Sequence, residues 1–248
     1  MTTSSAVDGE LPTLVPAGAG PVEWTAALAF EGGGPSGRIP PRLRSAAAAV
    51  AGRPGWKGAD GQVGESSLEA EMVQLWGGGD TGAFDERKLA RWIARALEAA
   101  RVAGARRVRP LLPEHRVARG DAGAERAARE ALLAGYRFDR YRTTGAPRER
   151  IREIELAPPP GREATFARAL ARARAVAAGV VLARDLGNTP PNEATPEWMA
   201  ARSREVARRL GAKVRVLGPA ELARRGMGGL LAVGGGSKHG PRLVRIEL

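Results

Sequence analysis

From Asp85 onward, apolar residues fall at Leu89, Trp92, Ile93, Ala96, Leu97 and Ala100, and Gly104 closes the run. This is the i, i+3, i+4, i+7, i+8, i+11 spacing of a helix with one buried face, and the glycine is a stop signal. A helix apolar along one stripe must lay that stripe on something. Around it stand short apolar runs bounded by glycine or proline: "VEWTAALAF" (22–30), "EMVQLWGGGDTG" (71–82), "RRVRPLLP" (106–113) and "IREIEL" (151–156). Such runs read as strands. "AGAERAAREALLAG" is a second amphipathic helix with Ala124, Ala127, Ala128, Ala131 and Leu132 on one side. Strand alternating with helix predicts an α/β sheet with helices packed against it. "PPRLRSAAAAVAG" reads as a short helix and "PGWKGADGQVGESS" as turn-rich chain.

A long helix is expected over 163–186, after the "APPPG" break and before "GNTPPN", whose prolines cannot continue a helix. Arg162, Arg168, Arg172, Arg174 and Arg184 do not share a face. Mixed character all round suits a helix that bridges two bodies. A second unit follows. Thr195 is a good N-cap, Pro196 a good first helical residue and Glu197 favourable in the first turn. Met199, Val206 and Leu210 are read as the inward side of this helix, which stops at Gly211. "KVRVL" alternates as a strand, "PAELARRG" is a short helix, Met227, Leu230 and Leu231 fall at helical spacing, and "PRLVRIEL" alternates as a last strand. The expected organisation is therefore 1–160, a connecting helix over 161–187, and 188–248.

Composition narrows the function classes. The 248 residues are 43% hydrophobic but only 4% aromatic, so the core must be built largely from Ala, Leu and Val. No cysteine is present, which removes disulfides, thiol nucleophiles and Cys-ligated zinc. "MTTSSAVDGELPTLVPAGAG" has neither the basic nor the apolar region of a signal peptide, and no apolar run reaches the length of a membrane span. A cytoplasmic chain without membrane contact is expected. The net charge of +12 invites a nucleic-acid partner. Nearly all of it is arginine, with only Lys57, Lys88, Lys213 and Lys238 as lysines, and a compositional bias is the stronger account of that.

The chemistry-bearing residues are sparse. His115 and His239 stand alone, without metal-ligand spacing. Glycine runs occupy 32–34, 77–79 and 234–236, and the second lies between a strand and the helix at Asp85, where a phosphate could meet helix N–H groups. It fits neither G-x-G-x-x-G nor the P-loop pattern, and turns explain it more simply. Glu69 with Glu71, and Glu153 with Glu155, are alternating carboxylates that exposed faces explain. Arg184 and Asp185 suit a local ion pair. No serine sits in a nucleophile elbow. From chemistry alone no catalytic, metal-binding or substrate-binding residue is assigned.

One stretch does resemble a known family. "ARDLGNTPPNEATPEWMA" (183–200) is similar to the hinge segment of the leucyl aminopeptidases, the two-metal cytosolic aminopeptidase family, in the pattern R-D-L-x-N-x-P-x-N-x-x-T-P. Arg184, Asp185, Leu186, Asn188, Pro190, Asn192, Thr195 and Pro196 match it. "GMGGLLAVGGGSKHGPRLVRIEL" resembles the next block through Met227, Gly228, Leu230, Leu231, Ala232, Val233, Gly236, Ser237, Pro241 and Arg242. "LAGYRFDRYRT" resembles the family's Y-x-F-D-x-Y, and "GWKGADGQVGE" and "DERKLARW" fit more loosely. The resemblance implies a macro-like α/β N-terminal domain joined by a long helix to an α/β catalytic domain. It implies removal of N-terminal residues from peptides by a hexameric enzyme with two divalent ions, zinc or manganese. The motifs that carry that chemistry, V-G-K-G-x-x-F-D-S-G-G and N-T-D-A-E-G-R, do not occur, and the first would begin shortly after Leu248. The catalytic domain is thus expected to be incomplete and the chain by itself to hold no cofactor and to be inactive. The alternatives are a DNA- or partner-binding protein of the same fold, and an ADP-ribose-type macro module using Gly77, Gly78 and Gly79.

Overall fold

The computed structural model describes residues 11–15, 20–144, 150–158 and 161–248. The N-terminal stretch read for a signal peptide lies largely outside the described residues, as do two prolines of "APPPG". By its contacts the chain divides into two compact units, Met1–Leu182 and Ala183–Leu248.

The first unit is a seven-stranded sheet in the order β1-β7-β6-β2-β5-β4, with β3 paired to β2 off this path. Its strands are β1 (Thr13–Val15), β2 (Trp24–Ala29), β3 (Pro35–Ser36), β4 (Val63–Leu68), β5 (Glu71–Gly77), β6 (Arg107–Pro110) and β7 (Glu153–Glu155). β1, β7, β6, β2 and β5 run parallel, whereas β3 and β4 are antiparallel to their partners. The helices are α1 (Arg44–Ala51), α2 (Glu86–Val102), α3 (Arg116–Arg119), α4 (Asp121–Ala134) and α5 (Glu163–Asn188). The α/β class is as expected. β1, β3 and β4 lie where no strand is expected: "VGESSL" begins inside the stretch that reads as turn-rich. Its polar alternation is that of a half-exposed strand, and it pairs with β5 from Val63 opposite Trp76 to Leu68 opposite Glu71.

Every residue of β2 is buried, because helices cover both faces. Trp24, Ala26 and Leu28 join one core cluster with the inner residues of α2, α4 and α5. Ala27 and Ala29, on the opposite face, pack with Leu75 and Val50 of α1. α2 behaves as its spacing requires. The Asp85 carboxylate accepts the Lys88 N–H at 2.8 Å as N-cap, and Leu89, Trp92, Ile93, Ala96, Leu97 and Ala100 are all buried. Each large apolar side chain removed from water there contributes about 1.5–3 kcal/mol. Gly104 ends the helix with φ 84°, its N–H bonded to Arg101 O at 3.0 Å.

α5 corrects one expectation. It is not of mixed character all round: Phe166, Ala169, Ala173, Ala177 and Val181 form one buried stripe. Alanine lends little to an apolar pattern, so the scattered arginines concealed a narrow inward face.

The second unit holds the end of α5, α6 (Pro196–Leu210), β8 (Lys213–Leu217), α7 (Pro219–Arg224), α8 (Gly228–Gly234) and β9 (Leu243–Glu247). β8 and β9 form an antiparallel pair. α6 corrects a second expectation. Its buried residues are Ala200 and Ala207, while Met199 is 38% and Leu210 63% exposed. α8 has no buried residue, and Val233 is 89% exposed.

Candidate functional site

The proline-asparagine segment is built by local hydrogen bonds. Thr189 donates to Asp185 O from both its amide (3.1 Å) and its hydroxyl (2.7 Å), closing α5. Glu193 and Ala194 N–H donate to Pro190 O at 3.0 and 2.8 Å, making the turn that the second proline begins. Thr195 then caps α6, its hydroxyl oxygen accepting the Trp198 N–H at 3.3 Å. Gly211 ends α6 in the left-handed region, φ 67°, where a side chain is disfavoured. Arg242 lies 3.5 Å from Glu197, and its guanidinium also donates to the carbonyls of Gly240 and Pro241 at 3.0 and 3.1 Å. The two family-like blocks are therefore joined at the first turn of α6. These contacts fix how the chain enters and leaves α6, and they present no nucleophile beside a base.

The isolated histidines are accounted for by packing and loop bonding. His115 stacks with Phe30 and Phe84, centroids 5.7 and 5.1 Å away, and its Nδ1 accepts the Val117 N–H at 3.3 Å. The His239 amide donates to Ser237 Oγ at 3.1 Å. The glycine run at 77–79 has its amides occupied. Gly77 N–H bonds Gln62 O, Gly78 N–H bonds Ala29 O and Gly79 N–H bonds Gly58 O, at 2.7–2.9 Å. A Cβ on Gly77 would stand 1.8 Å from Ala59 O. These glycines let two backbones touch, and their donors do not face a phosphate.

The carboxylate pairs correct the sequence reading. Glu155 and Glu71 are not on exposed faces but are 2% and 5% exposed. Arg109 of β6, itself buried, grips Glu155 of β7 with two bonds, Nε–Oε1 at 2.7 Å and Nη2–Oε2 at 3.1 Å. Its third nitrogen reaches Glu71 Oε1 at 3.4 Å. Thr25 donates to the same Glu71 oxygen and Arg42 to the other. A charge network thus crosses the sheet from β7 to β5. Sequence reasoning missed it because strand alternation shows which residues share a face and not whether that face is covered. Among the described residues, no three His, Asp or Glu side chains gather closely enough to hold a metal ion, so the residues present do not fit a two-metal centre.

At the surface, Arg101 holds the Glu98 carboxylate by Nε and Nη2 bonds of 2.8 and 2.5 Å, and Arg137 adds a third at 2.7 Å. The Arg101 hydrogen bonds, with the charges of both arginines, hold Glu98 down from 4.5 to about 2 against a partial loss of solvation. No helix among the described residues is long and apolar enough to cross a membrane. No observation favours the DNA-binding alternative.

Against known proteins, residues 58–145 match the profile of the cytosol aminopeptidase family, N-terminal domain, and residues 181–248 that of the same family's catalytic domain. A probable cytosol aminopeptidase of Roseiflexus castenholzii is 38% identical over 183 residues, covering 73% of this chain and 38% of the relative. One from Streptomyces avermitilis is 38% identical over 216 residues, covering 81% and 41%. The chain thus spans about two fifths of the length of the curated relatives it matches. Among solved structures, the bottromycin maturation enzyme BotP in complex with Mn superposes with TM-score 0.68 at 28% identity, covering 91% of this chain and 45% of that one. A mutant of tomato leucine aminopeptidase superposes with TM-score 0.76 at 19% identity over 99% and 52%, a likeness of fold.

Proposed function

We propose, from the premise that this chain belongs to the cytosol aminopeptidase family, that it supplies the N-terminal domain and the first part of the catalytic domain of a metal-dependent peptidase that removes N-terminal residues from peptides. The observation that carries this is the order of the two profile matches on one chain, joined by the segment from Arg184 to Pro196. On this reading residues 1–160 are the macro-like domain, 161–187 the connecting helix and 188–248 the opening of the catalytic domain. The Pro-Asn stretch is the entry to that domain. The complete enzyme is cytoplasmic, a homo-oligomer, and uses two divalent ions, zinc or manganese.

None of the residues needed for the bond-breaking step is assigned to this chain. A two-ion mechanism requires several carboxylates converging on the metals, and no such donor set forms among the described residues. The chain alone is therefore inactive. The assay is leucine release from a leucyl anilide with manganese or zinc, with and without a separate polypeptide carrying the remainder of a family catalytic domain. Turnover only with the partner is the expected result. Chelator-sensitive turnover by the purified chain alone would overturn the reading.

A further inference from the structure

β2 and β6 are parallel neighbours, yet they pair only from Trp24 to Ala26 with Val108 to Pro110. Beyond Ala26 the edge of β2 is taken over by β3, with Leu28 opposite Ser36 and Ala29 opposite Pro35. The chain leaving β2 runs to α1 on one face of the sheet, and the chain leaving β6 runs to α3 and α4 on the other. Where adjacent parallel strands send their connections to opposite faces, a crevice opens beyond their carboxyl ends, and ligands recur there.

This crevice is preformed. The Glu114 N–H donates to Ser36 Oγ at 3.1 Å, tying the two loops together. Gly37 has φ 105°, and a Cβ there would lie 2.8 Å from Leu112 O, so the loops approach as closely as only glycine permits. An open cleft of about 660 Å³ runs along the chain from Pro35 into α1 with Glu114 at its margin, beside a smaller one of about 120 Å³ against Leu111, Leu112 and Pro113, and Arg38 and Glu114 line both. The size is that of small-molecule sites in general. Ile39, Leu111, Leu112 and Pro113 give it apolar walls.

Its charge is unbalanced. Nearby arginines are neutralised, Arg42 by Glu71 and Arg109 by Glu155. Arg38, Arg44 and Arg119 line the clefts without any carboxylate in ion-pair range among the described residues. Glu114 is the one acidic side chain in the lining, so three guanidinium groups face one carboxylate and two positive charges remain.

We propose that this crevice binds a phosphate monoester bearing a compact apolar group. A phosphate dianion balances the two remaining charges, whereas a single carboxylate would leave one of them unpaired. Guanidinium forks match phosphate oxygens in pairs, and the aliphatic and proline walls suit the organic part. The site stands apart from the peptidase reading, and either can fail without the other.

The test is calorimetric titration of the full chain at low salt with phenyl phosphate, inorganic phosphate, phenol and a pentaglutamate peptide. Phenyl phosphate is expected to bind most tightly and phenol not at all. Arg38→Gln and Arg119→Gln should each weaken phenyl phosphate about tenfold, the loss of one charge-assisted contact. Arg208→Gln, at an exposed arginine of the second unit, should not. Because these arginines are exposed, unchanged thermal unfolding of the variants is expected to show that they fold. Equal weakening by Arg208→Gln, insensitivity to Arg38→Gln, or equal binding of phenol would overturn the proposal. So would inorganic phosphate matching the ester, or the acidic peptide exceeding it.

Discussion

Replacing Arg109 with leucine should be among the most damaging single changes in the first unit. The substitution keeps bulk and removes the guanidinium that gives Glu155, which is 2% exposed, two hydrogen bonds. Glu71 keeps Arg42 and Thr25, so the loss of hydrogen bonds falls mainly on the Glu155 end of the network. Breaking a buried pair from one side costs about 3–5 kcal/mol, whereas replacing both partners by apolar groups is often close to neutral. For a unit of this size a kcal/mol is worth about 2–4 °C, so Arg109→Leu should lower Tm by roughly 6–20 °C. The double variant Arg109→Leu with Glu155→Leu should recover most of the loss. Urea unfolding followed by tryptophan fluorescence is the assay. Trp24, Trp56, Trp76 and Trp92 all lie in the first unit, and a Trp198→Phe background removes the signal of the second. A loss below about 1 kcal/mol for the single variant, or no recovery in the double, would refute the claim that Glu155 depends on Arg109, since coupled neighbours must be non-additive.

Glu98 is held down to about 2 by Arg101 and Arg137, so its stabilising contribution is fully present above its ordinary value of 4.5 and is lost as pH falls through about 2. Tm scans of Glu98→Gln should be flatter than wild type over that window, and a superimposable acid limb would count against the arginine clasp. Gly77→Ala should destabilise by about 1–3 kcal/mol through overpacking, because its Cβ would meet Ala59 O at 1.8 Å. Gly34→Ala, with nothing within 4 Å, should stay within about 0.5 kcal/mol. Equal denaturation midpoints for these two variants would show that the glycine runs do not differ as described.

What was legible in the sequence depended on the size of the side chains doing the packing. α2 could be read because Leu89, Trp92, Ile93 and Leu97 are large and apolar and stand out against the charged Arg91, Arg95 and Glu98. α5 and α6 bury alanine: Ala169, Ala173 and Ala177 in one, Ala200 and Ala207 in the other. A methyl group scarcely registers against arginine in a hydrophobic pattern, although close helix packing favours it. Met199 and Leu210 therefore drew the inward face to the wrong side of α6. β4 was hidden for the opposite reason, since "VGESSL" on an antiparallel edge shows too little apolar character to be told from a loop.

The family segment was legible for a third reason: it is a set of backbone instructions. Thr189 donates to a carbonyl four residues back, Thr195 accepts an amide three residues on, and Pro196 starts α6. Such instructions act locally, so they survive in the sequence as a fixed spacing, whereas partners distant in the chain leave none. Arg109 and Glu155 are 46 residues apart and Arg109 and Glu71 are 38 apart, and the loops tied by Ser36 and Glu114 are 78 apart. The same difference explains the arginines. Read as composition, they are an undivided excess of positive charge. In the folded chain Arg42, Arg101, Arg109 and Arg137 are held by carboxylates, and Arg38, Arg44 and Arg119 are left facing one crevice, so the sheet topology decides which part of the charge a ligand could meet.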